Sequence, residues 1–82
     1  MDVRGYSYFI ERRDSDRLWI ATVAEFPGLR AESKVHNRAL NELYDHVAAT
    51  IRQRYRAGEP FPAPPSAPRG AAAEFLKSLG LT

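Results

Sequence analysis

Ten acidic residues, two histidines and no cysteine set the chemistry open to this 82-residue chain. Hydrolysis at a divalent metal requires several carboxylates converging on the ion. Glu11, Asp14, Asp16, Glu25 and Glu32 are the candidates. Asp14 and Asp16, however, fall in a polar link between two apolar alternating runs, and Glu11 points away from Ile10 on a strand. The spacing brings no three of them together, and they read as solvated turn and surface acids. His36 and His46 are too far apart on a helix to act as an i, i+4 ligand pair, and no serine is paired with either by a recognisable motif. Without cysteine there is no disulfide, no thiol nucleophile and no cysteine-held zinc or iron-sulfur site. No catalytic residue, metal or cofactor is assigned, and the chain reads as non-enzymatic.

Arg52, Arg54 and Arg56, with Tyr55 between them, have the composition of a phosphate-binding edge with a stacking group. Their alternation by two spreads them around a helix, and cations near a helix C-terminus also compensate its dipole. They are kept as minor candidates for nucleic-acid contact. Lys plus Arg exceed Asp plus Glu by only 12 to 10, a net charge of +2 that argues little for nucleic acid.

These side chains must be positioned by a small framework. In "YSYFIERR", Tyr6, Tyr8 and Ile10 alternate with Ser7, Phe9 and Glu11, the pattern of a strand. The polar Arg13-Asp14-Ser15-Asp16 follows, and "RLWIATVAE" alternates again, which predicts an antiparallel hairpin. Phe26-Pro27-Gly28 then forms a tight corner, since Pro27 lacks a ladder donor and Gly28 tolerates positive φ, and "LRAES" returns as a brief third strand. From Asn37 to Ala57 the apolar period becomes 3.6, with Leu40, Leu43, Tyr44, Val47, Ala48, Ile51 and Tyr55 on one stripe, Asn37 as N-cap and Gly58 as stop. "GEPFPAPPSAPRG" holds five of the six prolines and predicts an extended linker. Phe75, Leu76 and Leu79 mark a short amphipathic helix at the end, which is marginal unless it docks.

The expected architecture is α+β: a three-stranded antiparallel sheet (β-β-β-α) over residues 1–59 covered by one long helix, a Pro-rich linker over 60–70 and a short helix over 71–82. One helix covers one face of a sheet. If Tyr8, Ile10, Leu18 and Ile20 meet the helix, Phe9, Trp19 and Val23 point away from it, and such an apolar surplus marks a protein interface. Phe9, Trp19, Val23, Phe26 and Leu29 are therefore the candidate partner-binding residues. Phe75, Leu76 and Leu79 are candidates for an oligomer or partner helix that folds back over the surplus face, crosses to another subunit, or docks in a partner's groove.

The order of parts resembles the HicB-like antitoxin family, whose hallmark is a strand of the type Y-x-A-x-x-P-E-L-P-G-C, a helix opening in E-E-A-L and an exit of the type G-E-P-I-P-x-P. Here Trp19 stands at the tyrosine position, Ala21 matches, and Ala24-Glu25-Phe26-Pro27-Gly28-Leu29 lies over P-E-L-P-G-C. Ala39-Leu40 falls on the A-L of the helix start, and Gly58-Glu59-Pro60-Phe61-Pro62-Ala63-Pro64 follows the exit. The resemblance spans about residues 6 to 64. It implies a partial RNase H fold that neutralises a small mRNA-cleaving toxin by masking its active site, with repression of its own operon through a separate DNA-binding region.

The chain departs from that pattern in three places. Val35-His36-Asn37-Arg38 stands where the family has a threonine cap and paired glutamates, residues 66–82 contain no convincing further strand, and they are too few for a complete DNA-binding module. Direct DNA binding is therefore not expected. The expectation is a type II antitoxin-like protein-binding module, a homodimer or higher oligomer, with a small toxin ribonuclease as partner; a stand-alone basic regulatory oligomer or nucleic-acid-binding domain is the alternative. No apolar run approaches the roughly 18 residues that cross a membrane, and no apolar stretch follows Met1-Asp2-Val3-Arg4, so a cytoplasmic location is expected.

Overall fold

The computed structural model describes residues 3–65 and 72–81. It has a 3-10 turn at Val3–Gly5, strands β1 (Tyr8–Arg13), β2 (Leu18–Val23) and β3 (Arg30–Ser33), the long helix α1 (His36–Ala57) and the short helix α2 (Ala72–Ser78). The three strands form one antiparallel sheet in the order β1-β2-β3. The α+β architecture is the one the sequence predicts. Residues 66–71 and 82, which belong to the expected linker and terminal helix, lie outside the described residues.

The hairpin decides which side chains meet the helix. Arg13 pairs with Leu18 around a four-residue loop, with Arg17 in the left-handed region at φ 57. Paired residues share a face, so the even-numbered residues of β1 lie with the odd-numbered residues of β2. Tyr8, Ile10 and Arg12 thus share the α1 side with Val23, Ala21 and Trp19, and on β3 with Ala31 and Ser33. Phe9, Glu11, Arg13, Leu18, Ile20, Thr22, Arg30 and Glu32 occupy the other face. This corrects the expected division. Trp19 and Val23 belong to the helix side, whereas Leu18 and Ile20 join Phe9 on the outer side.

The corner after β2 is built as a tight turn. The Leu29 amide donates to the Phe26 carbonyl at 3.1 Å, with Pro27 and Gly28 (φ 95) at the two central positions, the residue pattern of a type II turn. Phe26 is carried inward by this turn and is one of the largest fully buried side chains. Glu25, just before it, accepts from the Ser7 amide at 2.9 Å and the Ser7 hydroxyl at 2.8 Å, which ties the corner to the start of β1.

α1 begins one residue before Asn37. Val35 is the N-cap in extended geometry without a side-chain cap bond, and its own amide donates to Ser33 Oγ at 3.1 Å. Asn37 lies inside the first turn, with Oδ1 3.1 Å from His36 Nδ1. At the other end Gly58 takes φ 70, and the amides of Gly58 and Glu59 donate to the Tyr55 and Arg54 carbonyls, a Schellman closure. Ala39, Leu43, Val47, Ala48 and Ile51 form the buried stripe.

The core comprises that stripe, Ala21, Val23 and Ala31 from the sheet, and Val3, Tyr6 and Phe26 from the flanking turns. Phe75 and Leu79 of α2 join the same cluster. α2 therefore folds back onto the body of its own chain. It packs on the core beside Tyr6 and α1, whereas Phe9, Leu18 and Ile20 on the outer face do not pack against that cluster.

Candidate partner-binding surface

The outer face of the sheet has three rows. Phe9, Thr22 and Arg30 lie side by side, then Glu11, Ile20 and Glu32, then Arg13 and Leu18. Phe9 is 61% exposed, the most exposed large apolar side chain among the described residues. Leu18 and Ile20 are half-buried between charged margins. Ionic contacts tie the far end of the face together. Arg13 donates through Nε and Nη2 to both carboxylate oxygens of Asp16, with a shortest distance of 2.6 Å. It also reaches Glu32 at 3.4 Å, and Glu32 in turn accepts from Arg30 at 2.6 Å. The hydrogen bonds from Arg13 hold the Asp16 carboxyl below its ordinary value.

The five expected partner-binding residues are thus distributed over three environments. Phe9 lies open on the outer face. Val23 and Phe26 are core side chains, 3% and 2% exposed, and present no surface to a partner in this conformation. Trp19 is half-buried on the helix side, where it meets the His36 ring edge-on at 4.9 Å and carries the Arg12 guanidinium 5.9 Å from its centroid. Leu29 is half-buried against the core. The fold does not bring them together as one patch. Leu18 and Ile20 share a face with Phe9, which the sequence does not reveal because β2 carries apolar residues on both faces and hydropathy alone does not choose between them.

Of the terminal helix residues, Phe75 and Leu79 are buried and Leu76 is half-buried. The Arg52 guanidinium donates through Nε to the Leu79 carbonyl at 2.9 Å, so it closes the C-terminal end of α2. Arg54 lies 5.4 Å from the centroid of the Phe26 ring. Arg56 is exposed. Two of the three arginines are thus engaged by the chain itself.

The candidate acids are equally dispersed. Asp16 and Glu32 are ion-paired, Glu25 is bound to Ser7, and Glu11 is exposed on the outer face. Among the described residues no three His, Cys, Asp or Glu side chains are gathered so as to hold a metal ion. No helix among them is long and apolar enough to cross a membrane.

Comparison with protein-family models, with curated proteins and with solved structures finds no match for this chain.

Proposed function

We propose that the chain is a non-enzymatic protein-binding module of the antitoxin kind, which blocks a small mRNA-cleaving toxin through the outer face of its sheet. The observation that carries this reading is Phe9, 61% exposed on a sheet face that neither α1 nor α2 covers. Ile20 and Leu18 extend the apolar strip behind it, and Glu11 and Glu32 flank Ile20. A toxin that holds RNA needs a cationic surface; Glu32 is already paired with Arg13 and Arg30, so Glu11 is the carboxylate beside the apolar strip that suits such a surface. The resemblance of residues 6 to 64 to HicB-like antitoxins supplies the partner class, and the β-β-β-α order agrees with it.

The test is co-expression with the product of an adjoining reading frame that encodes a short basic protein. The wild-type chain should relieve its toxicity and co-purify with it. Phe9→Asp, at an exposed position that the core does not use, should abolish both while leaving the circular dichroism unchanged. Failure of the wild-type chain to co-purify or to relieve toxicity overturns the reading.

A further inference from the structure

We propose that β3 is the seam of a two-fold homodimer, in which its open edge pairs antiparallel with β3 of a second copy and Ala31 lies on the axis, so that Arg30 of each copy stands opposite Glu32 of the other. The proposal concerns this chain alone and stands whether or not a toxin is bound.

The phase of the ladder shows which main-chain groups β3 offers. The Ala24 amide donates to the Ser7 carbonyl at 2.9 Å, and these two residues stand directly opposite each other by the hairpin register. Bonding in an antiparallel pair alternates, so Thr22, Ile20 and Leu18 turn their main-chain groups toward β1, and Val23, Ala21 and Trp19 turn theirs toward β3. Ala31 and Ser33, opposite Ala21 and Trp19, are bonded inward, and Arg30 and Glu32 turn their main-chain groups to the open edge. Among the described residues those outward groups take no hydrogen bond. β3 is an edge strand, and such an edge is a template for another strand. α1 does not block it. The helix starts at His36, against Trp19 of β2, and reaches Tyr44, against Tyr8 of β1, so it crosses the sheet away from the β3 edge. A two-fold at Ala31 sets the start of one helix at the end of the seam where the other helix has already crossed away.

Charge then selects the register. A continuous antiparallel seam must set outward-facing residues of one copy against outward-facing residues of the other, which places Arg30, Ala31 or Glu32 on the axis. Arg30 on the axis sets two guanidinium groups against each other. Glu32 on the axis brings two carboxylates together and sets Arg30 opposite Lys34. Like charges directly opposite are destabilising. With Ala31 on the axis, Arg30 stands opposite Glu32 of the second copy, twice by symmetry, and each such pair exchanges both of its main-chain bonds. Within one chain Arg30 already donates to Glu32 at 2.6 Å, so the seam closes a ring of alternating charge on the outer face. On the helix side the small Ala31 meets its own copy. A two-fold contact uses the same patch on both copies and so closes at two. It joins two three-stranded sheets into one of six strands, with both copies of α1 on one side and both copies of Phe9 on the other.

Light scattering should give the wild-type chain a mass that approaches twice that of one chain as concentration rises. Arg30→Glu sets carboxylates opposite each other in both pairs, and Glu32→Arg sets guanidinium groups there. Each variant should associate about tenfold more weakly or less still, with unchanged circular dichroism. An equimolar mixture of the two variants restores both attractive pairs and should return to the doubled mass. Cross-linking gives a second reading that does not depend on the charged variants. The chain has no cysteine, so those placed by Arg30→Cys and Glu32→Cys are the only thiols. In the proposed register these two positions have Cα atoms about 5.5 Å apart, within disulfide reach, whereas like positions are diagonal, about 7–8 Å apart and beyond it. Mild oxidation of mixed Arg30→Cys and Glu32→Cys chains should give a cross-linked heterodimer, and either variant alone should stay uncross-linked. A wild-type mass of one chain at the highest soluble concentration, a mixture of the two folded charge variants that stays at one chain, or cross-linking of Arg30→Cys with itself in preference to the mixed pair overturns the proposal.

Discussion

The Tyr6 ring meets Phe26 edge-on at 5.1 Å and Phe75 at 6.0 Å, and its hydroxyl donates to the Pro62 carbonyl at 2.6 Å. One side chain thereby touches the corner after β2, the segment after α1 and the terminal helix. Burial, and then the negative charge of Glu25, push the Tyr6 hydroxyl up from 10.0 to about 12. The unfolded chain ionises this group at lower pH than the folded chain does. Its contribution is complete below about pH 10 and is lost as pH rises toward about 12. Tyr6→Phe keeps the ring contacts and removes the hydrogen bond, at a cost of about 1 kcal/mol near neutral pH. It should also flatten the alkaline loss of stability. Urea midpoints at neutral pH and in the alkaline window, compared between the two proteins, measure both effects; an alkaline loss of the same size in the variant contradicts this account of Tyr6.

At the scale of elements, α1 opens without help from side chains. Val35 makes no cap bond, the first turn contains no acid, and His36 and Arg38 place basic groups at the end where the dipole disfavours them. Val35 has the extended backbone of an N-cap and is 52% exposed, so its side chain contributes little packing. Val35→Asp should therefore stabilise the protein by about 1 kcal/mol, read as a raised urea midpoint with an unchanged slope. An unchanged or lowered midpoint would mean that Val35 packs more tightly than its exposure indicates. The same helix shows what the sequence made legible. Its 3.6-residue stripe and Gly58 stop were plain because many apolar positions repeat the signal. Its start was displaced from Asn37 because Asn is a good cap in isolation, whereas here the Ser33 hydroxyl holds the turn that enters the helix. The inward face of β2 is not legible for a different reason. Leu18 and Ile20 compete with Trp19 and Val23, and the four-residue loop decides the parity between two equally apolar choices. The expected surface carries the same parity, so it sets Phe9 apart from Leu18 and Ile20, with which it shares a face.

The whole molecule depends on a helix that is too short to persist alone. Seven residues form α2, well below the length at which an isolated helix holds together in water. It is maintained by Phe75 and Leu79 in the core and by Arg52 at its end. Two behaviours would follow from two kinds of attachment. A tail that merely rests on the domain can detach without lowering the stability of the rest; a helix that completes the core cannot. Tyr6 meets both Phe26 and Phe75, and Arg54 of α1 lies over the Phe26 ring, so loss of Phe75 leaves a void in the cluster that α1, the sheet and α2 share among the described residues. Phe75→Ala should cost about 3 kcal/mol of global stability. The single tryptophan gives a reporter placed away from the change, because Trp19 packs on His36 whereas α2 is bonded to Arg52, sixteen residues or roughly 24 Å further along α1. Urea unfolding followed by Trp19 fluorescence should move to a lower midpoint and coincide with the transition seen by circular dichroism. If the Trp19 midpoint stays at its wild-type position, α2 is an independent tail and residues 3–65 form a core that is complete without it.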